Sequence, residues 1–293
     1  GYGKTPNGEL LNDIWAFSFS DSCWTNINLQ PYKPPPRIGA KATLTDNKIF
    51  IFGGENNGTY LSDFHCFDLL SMQLIKVRAV NEGPCSRVGH VMQSYDKKVC
   101  IWGGNNHRQL EDLWIYDVDT NEWTQIESNI PGRSYAASCV KDNLLYITCA
   151  SNIDDIIIYN FDEETIDSYT VTGSPPSFDL KSASLSAVGR YLILIGGYIE
   201  KQKYSMVRAF DTVKKWWFVF YIIPDEETTS IADGGVDGSG IFLVPRMYGG
   251  FACYRPNTRQ VCLSLGMPIH NPPPVWVFDV GDGVSVMHQQ LDL

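Results

Sequence analysis

One spacing recurs along the whole chain: an aromatic residue is followed, seven positions later, by a large apolar one. It occurs as Phe17 with Trp24, Phe67 with Leu74, Tyr116 with Trp123, Tyr159 with Ile166, Phe210 with Trp217, and Tyr254 with Val261. Two residues that face each other across a short hairpin keep such a spacing, and its constancy gives both side chains the same place in every unit, packed against a neighbouring sheet. Within one unit, residues 84–126, four runs rich in β-branched and aromatic residues can be marked: Gly89 to Ser94, Val99 to Trp102, Leu113 to Tyr116, and Trp123 to Ile126. Turn residues such as Asp96-Lys97 and Thr120-Asn121 separate them, so one four-stranded antiparallel sheet accounts for the unit.

A diglycine closes the second strand of several units, as Gly53-Gly54, Gly103-Gly104 and Gly196-Gly197. With a period of about 50 residues, this pattern resembles the kelch repeat, a blade of a β-propeller. The expected fold is therefore all-β: a six-bladed kelch-type β-propeller with four antiparallel strands per blade. The whole chain, 1–293, is expected to form one domain. The first copy begins at Gly1, where the second glycine of the pair belongs, so blade 1 is expected from about 1–29 together with 272–291. In that reading Val275 to Val280 and Val284 to His288 close the ring with strands from both termini and remove exposed edges. A seventh, incomplete blade or an upstream segment are the alternatives. Blades 2–6 fall within about 36–266. The fourth copy has Cys149-Ala150 for the diglycine and is expected to deviate there. In the sixth, Ile241 to Val244 is expected as second strand and Gly249-Gly250 as the opening of the third.

Aromatics make up 13% of the chain and suit stacked sheets, whereas a formal charge of −10 and a pI near 4.9 argue against a grip on nucleic acid. No apolar run reaches the length of a membrane span, and no membrane insertion is expected. The first residues lack the basic start and apolar stretch of a signal peptide, so a cytoplasmic location is expected. The cysteines show no CxxC pair or zinc-like spacing. Most fall inside strands as small buried hydrophobes. Cys253 and Cys262 face each other across a hairpin, where a disulfide is conceivable and reduced thiols are the preferred reading.

Antiparallel blades send the loops joining strands two and three, and the links between blades, to one face. That face has the long loops, and binding residues tend to sit on loops held by a rigid scaffold. Candidate partner-binding residues are Arg37, Arg87 and Arg133, equivalent positions ahead of the first strand, with Tyr32, Tyr60, His107, Arg108, Lys201 and Lys203 in surrounding loops. Arg and Tyr commonly anchor interfaces. The three arginines have two readings, either structural, bonding loop carbonyls in each blade, or presenting positive charge to a carboxylate-bearing peptide.

No catalytic residue, cofactor or metal site is expected. The five histidines share no spacing, and His65 stands where Trp15 and Trp114 stand in other copies. Plant specifier proteins built on kelch scaffolds hold iron with Glu, Asp and His at intervals of four; Glu9 and Asp13 match, but Phe17 replaces the His. No GxSxG, phosphate loop or HExxH is present. The resemblance implies a protein–protein interaction module or scaffold whose partner is a protein or peptide, acidic in the sharper version. Family members serve as ubiquitin-ligase substrate adaptors or as cytoskeletal and ciliary scaffolds. An enzyme working at the channel mouth is the alternative.

Overall fold

The computed structural model describes residues 3–5, 7–150, 155–200, 202, 203, 207–220, 248–264, 266 and 275–280. Every regular element among them is a β-strand, and the sheets are blades of a β-propeller. Cα positions group the chain into two compact units. One is Gly1–Tyr135 with Asp142–Leu145 and Tyr159–Asp167; the other is Ala136–Lys141 with Tyr146–Ile158 and Ser168–Leu293.

In the first unit, blade 2 orders its strands as Lys41–Thr45, Lys48–Phe52, Phe64–Asp68 and Gln73–Lys76. Blade 3 repeats this with Val91–Tyr95, Lys98–Trp102, Leu113–Asp117 and Glu122–Ile126. Ahead of them, Ile14–Ser18 pairs with Cys23–Ile27. A fourth sheet, Ala137–Lys141, Leu144–Thr148, Asp155–Asn160 and Thr165–Thr170, has residues in both units. The second unit holds the sheet built on Ser184–Val188, Tyr191–Ile195, Val207–Asp211 and Trp216–Phe220. Its last sheet is Phe251–Arg255, Gln260–Ser264 and Val275–Asp279.

The sevenfold spacing sets the register. Phe17 lies opposite Trp24, Phe67 opposite Leu74, Tyr116 opposite Trp123, and Phe210 opposite Trp217. Three of these pairs bring ring centroids to 5.0–5.2 Å, the tilted contact aromatic quadrupoles favour. Between blades 2 and 3, Tyr116 and Trp123 join Phe50, Phe52, Phe64, Met92 and Ile101 in one buried cluster. Each such side chain contributes roughly 1.5–3 kcal/mol by leaving water. The third strand ends on a residue whose side-chain oxygen closes the next turn. Oδ1 of Asp68 accepts from the amides of Leu70 and Ser71, and Asp117, Asn160 and Asp211 repeat the arrangement.

A left-handed residue stands ahead of each first strand and links neighbouring blades. In the first unit Gly89 donates its amide to the carbonyl of Gly39, and Tyr135 donates to Gly89; in the second unit Gly249 donates to Ser182. All five have φ between 54° and 69°. The diglycine makes a second link. The amide of Gly54 donates to the Arg87 carbonyl at 2.9 Å, and that of Gly104 to the Arg133 carbonyl at 2.8 Å. A β-carbon on Gly53 would lie 2.6 Å from the Arg87 oxygen, and one on Gly103 2.7 Å from the Arg133 oxygen, so this crossing requires glycine. Cys149 and Ala150 keep the left-handed course. Cys149 matches at 66°, while Ala150 sits at 52° against 93–98° for its glycine counterparts, which is the deviation expected of the fourth copy.

The last sheet corrects the register read from the sequence. Gly249 opens a first strand and not a third, because it takes the left-handed place ahead of Phe251–Arg255. Tyr254 does face Val261, but across the hairpin of the first and second strands; the third-strand aromatic opposite Val261 is Phe278. The coincidence has a simple cause. In blades 2 and 3 the first hairpin turns in two residues, pairing Thr45 with Lys48 and Tyr95 with Lys98, whereas here it pairs Arg255 with Gln260, the spacing of a third–fourth hairpin. Segment 275–280, expected in blade 1, instead extends the last sheet. Residues 241–244 and 284–288 lie outside the described residues. Cys253 and Cys262 lie opposite each other as free thiols.

Candidate interaction site beside blades 2 and 3

Arg37, Arg87 and Arg133, candidates for partner contact, are buried. Arg87 donates from Nε to the Cys85 carbonyl and from Nη1 to the Gly103 carbonyl, both at 3.0 Å, and its two terminal nitrogens reach Asp112 at 2.8 and 2.6 Å. Arg37 repeats each contact with the carbonyls of Pro35 and Gly53 and with Asp63 at 2.5 and 2.6 Å. A planar fork against a carboxylate is the strongest neutralising geometry a side chain offers. The positive charge expected to face a partner is thus spent on a carboxylate of the same blade, just ahead of its third strand. Arg133 holds the equivalent backbone position, accepting from Gly104. The carboxylate in register with Asp63 and Asp112 there is Asp155, which is buried and accepts from Ser168 Oγ at 2.5 Å.

Burial alone would raise the pKa of Asp63, but hydrogen bonds from His65 and Arg37, with the Arg37 charge, hold it well below the usual carboxylate range. Asp112 behaves likewise, with Arg87 and Trp114 as donors. His65 replaces tryptophan for a visible reason. Its Nε2 lies 2.8 Å from Asp63, where Trp114 donates to Asp112 and Trp15 to Asp13, each at 2.6 Å. Any ring N–H two residues after the carboxylate fills the place. His90 is fully buried against Phe52, and burial, then the Arg87 and Lys41 charges, push its pKa well below the ordinary imidazole value.

The loops between second and third strands are pinned at their roots. Ile38 and Glu55 exchange two backbone hydrogen bonds, as do Val88 and Asn105. Beyond that root the chain makes the hairpin Glu55–Asn56 with Thr59–Tyr60 in blade 2, and the exposed turn at 106–109 in blade 3. These two loops meet. The rings of Tyr60 and His107 are 4.8 Å apart and edge to face, with His107 and neighbouring Arg108 exposed. Tyr32 lies half-buried with its ring 5.7 Å from that of His65. Lys203 is in the short strand Gln202–Lys203, and Lys201 is outside the described residues.

Next to the Tyr60–His107 contact opens a cleft of about 700 Å³ whose walls include Tyr60, Leu61, Asp63, Glu82, Cys85 and Trp123. Of these, Tyr60 is a candidate contact from sequence, and Glu82 and Cys85 belong to a long loop, 78–86, of the same face. The others come from the start of a third strand and the far edge of the next blade, so no local motif marks them. Gly83 is what lets the link approach, since a β-carbon there would fall 2.6 Å from the Trp123 ring. The exposed Cys85 has its Sγ accepting from Arg87 Nη2 at 3.3 Å and Asn106 Nδ2 at 3.5 Å. Volume and mixed polarity lie in the range of sites that hold a side chain or short segment of a ligand.

Comparison with known proteins agrees with this architecture. The chain is 30% identical over 147 residues to tip elongation aberrant protein 3 of Schizosaccharomyces pombe, covering 40% of the chain and 13% of that protein. It is 25% identical over 210 residues to acyl-CoA-binding domain-containing protein 6 of rice, 64% of the chain and 31% of that protein. To mouse kelch domain-containing protein 1 it is 27% identical over 168 residues, 50% of the chain and 41% of that protein. The chain therefore spans less than half the length of each. The model of the KLHDC2/KLHL20/DRC7 Kelch-repeats domain matches residues 1–197. With blades, diglycine links and arginine forks in place, the chain belongs to that family of Kelch-repeat propellers.

Proposed function

We propose that this propeller is a non-catalytic protein-interaction module that seats a segment of a partner protein in the cleft bounded by Tyr60, Asp63, Glu82 and Cys85, with His107 and Arg108 on its rim. The observation that carries the reading is the cleft itself, an open volume of about 700 Å³ lined by aromatic and polar groups on the long-loop side. Kelch-repeat propellers typically mediate protein–protein contacts, which fits a rigid scaffold presenting two converging loops. The charged groups nearest the cleft support binding over chemistry: Asp63 is held ionised by Arg37 and His65, a poor state for an acid or base near neutral pH. Service as a ubiquitin-ligase adaptor or cytoskeletal scaffold, in a reducing cytoplasmic setting that keeps the thiols free, belongs to the same proposal.

A photo-crosslinking residue placed at Glu82 should capture a partner protein that the same residue at exposed Asp142 does not. Equal capture from both positions, or capture from Glu82 that survives Tyr60→Ala with His107→Ala unchanged, would sink the cleft as the binding site. Measured turnover of a small substrate dependent on cleft residues would overturn the non-catalytic part.

A further inference from the structure

The short-turn end of blade 2 carries a second surface that the fold does not need. Its third–fourth hairpin runs Asp68-Leu69-Leu70-Ser71-Met72, and Leu70 is 78% exposed and Met72 44%. The same positions hold Asp119 and Asn121 in blade 3, Asp162 and Glu164 in the next sheet, Ser20 and Ser22 in the first pair, and Val213, also exposed, with Lys215 in the second unit. The turn is made by Asp68, which accepts from the amides of Leu70 and Ser71 as Asp117 does from Asp119 and Thr120. Met72 lies at φ 57°, a left-handed conformation that Asn121, at 60°, adopts with less strain. Neither side chain serves the hairpin: polar residues stand at both places in three of the other copies, and among the described third–fourth hairpins this one alone is apolar at both. Leu69 at the same tip is also exposed, as is Leu44 two strands inward, roughly 10 Å by strand spacing.

Charge defines the surroundings. The amide of Leu69 donates to the Asn47 carbonyl, which sets the Asp46-Asn47 turn beside the tip. The amide of Lys97 reaches Thr45 Oγ1, which adds the Asp96-Lys97 turn of blade 3. Lys97 is bonded to Asp119 at 3.0 and 3.1 Å, and Lys48 faces Asp68 across its strand pair. Asp46 and Asp96 are exposed, and both attract Lys97, whose first partner is Asp119, so carboxylates outnumber lysines around the tip. An apolar tip within a negative collar fits one kind of occupant, in which apolar and basic side chains alternate along one face.

We propose that Leu70 and Met72, with Asp46 and Asp96 around them, form a docking surface for a basic amphipathic segment of a partner protein. The segment sets apolar side chains on the hairpin tip and lysines or arginines against the two carboxylates. This surface lies at the opposite ends of the strands from the cleft, and neither depends on the other.

The test uses the 293-residue chain and a fluorescent 18-residue helical peptide of leucine and lysine, read by anisotropy at low salt, with a leucine–glutamate peptide of the same length beside it. The leucine–lysine peptide should bind, and the double substitution Leu70→Asp with Met72→Asn, the residues blade 3 carries, should weaken it at least tenfold with no change in the unfolding midpoint. Because this variant is more negative, attraction by charge alone would leave binding unchanged or tighten it, and either result overturns the proposal. Leu70→Ser with Met72→Ser, the residues of the first hairpin, gives the same loss without altering charge and stands in should the first variant fail to fold. Val213→Ser, at another exposed turn, should bind as the parent does; equal weakening there removes the assignment to this tip. Equal binding of the leucine–glutamate peptide rejects the charge match. Sedimentation showing a concentration-dependent dimer of the chain that the double variant abolishes would instead make a second copy the occupant and overturn the proposed partner.

Discussion

Arg87 and Asp112 are locked by two parallel N–H···O bonds of 2.8 and 2.6 Å, twenty-five residues apart in sequence and inside one blade. The backbone of the same arginine faces the blade before it: its amide donates to the Leu61 carbonyl and its carbonyl accepts from Gly54. One residue thus ties its own blade together through its side chain and its neighbour through its main chain.

Removing that side chain leaves the half-buried Asp112 carboxylate without its counter-ion. Arg87→Ala should lower the unfolding free energy by about 3–5 kcal/mol, and Asp112→Ala in the same protein should restore part of the loss. Urea titrations of the two single variants and the double variant give the coupling. Strict additivity would show that the fork stores no interaction of its own.

Stability should fall on acidification more steeply than surface carboxylates alone would dictate. Asp63 and Asp112 have folded pKa values depressed below the ordinary 3.8. Their contribution is complete above the unfolded value and is lost as pH drops through it toward the folded values, because the unfolded chain there binds more protons. Urea midpoints measured from about pH 6 down to about pH 3 should decline below about pH 5, and Asp63→Asn, weaker throughout, should decline less steeply. Parallel curves would dissociate Asp63 from the acid response.

Two glycines with similar backbone angles should respond very differently to alanine. Gly58 has φ 84° and nothing within 4 Å of an added β-carbon, so Gly58→Ala costs about 1 kcal/mol from conformation alone. Gly103, at 64°, would drive that carbon to 2.7 Å from the Arg133 carbonyl and break the link between blades, costing about 1–3 kcal/mol more. Thermal unfolding of the pair separates the two contributions, and equal losses would show that the crossing tolerates a methyl group.

Thiol labelling should sort the cysteines. Cys23 and Cys85 are exposed and should react first with a disulfide reagent in the folded protein. Cys253, although exposed as a residue, has its thiol pKa raised by burial and then by Cys262, and should follow more slowly. Cys100 and Cys139 are buried, which pushes their pKa values up, and should react only on unfolding. Fast labelling of Cys100 would contradict the packing of blade 3.

Much of the fold was legible because its signals are local. A hairpin converts a spacing of seven into facing side chains, and Tyr116 with Trp123 reads out of the sequence as the contact it makes. The same signal misled at Tyr254, since spacing reports a turn length and not which strands the turn joins. Only Gly249, with its left-handed φ and its bond to Ser182, distinguishes the two. At the candidate site, Arg37 and Arg87 stood out by repetition, but their destiny was set by Asp63 and Asp112, some twenty-five residues on and marked by nothing except register. The cleft was illegible for another reason: Leu61, Glu82 and Trp123 come from three elements and become neighbours only when blades pack.

The succession Gly39, Gly89, Tyr135 is a hydrogen-bonded thread that passes from blade to blade without using any strand edge. In a linear repeat array each module meets its neighbours through side chains and can melt at an end. Here a blade that opens must also release an amide or carbonyl belonging to the next one. Fraying is thereby penalised twice, and the blades joined by the thread should unfold as one cooperative step, with exchange of the Gly89 and Tyr135 amides tracking global opening.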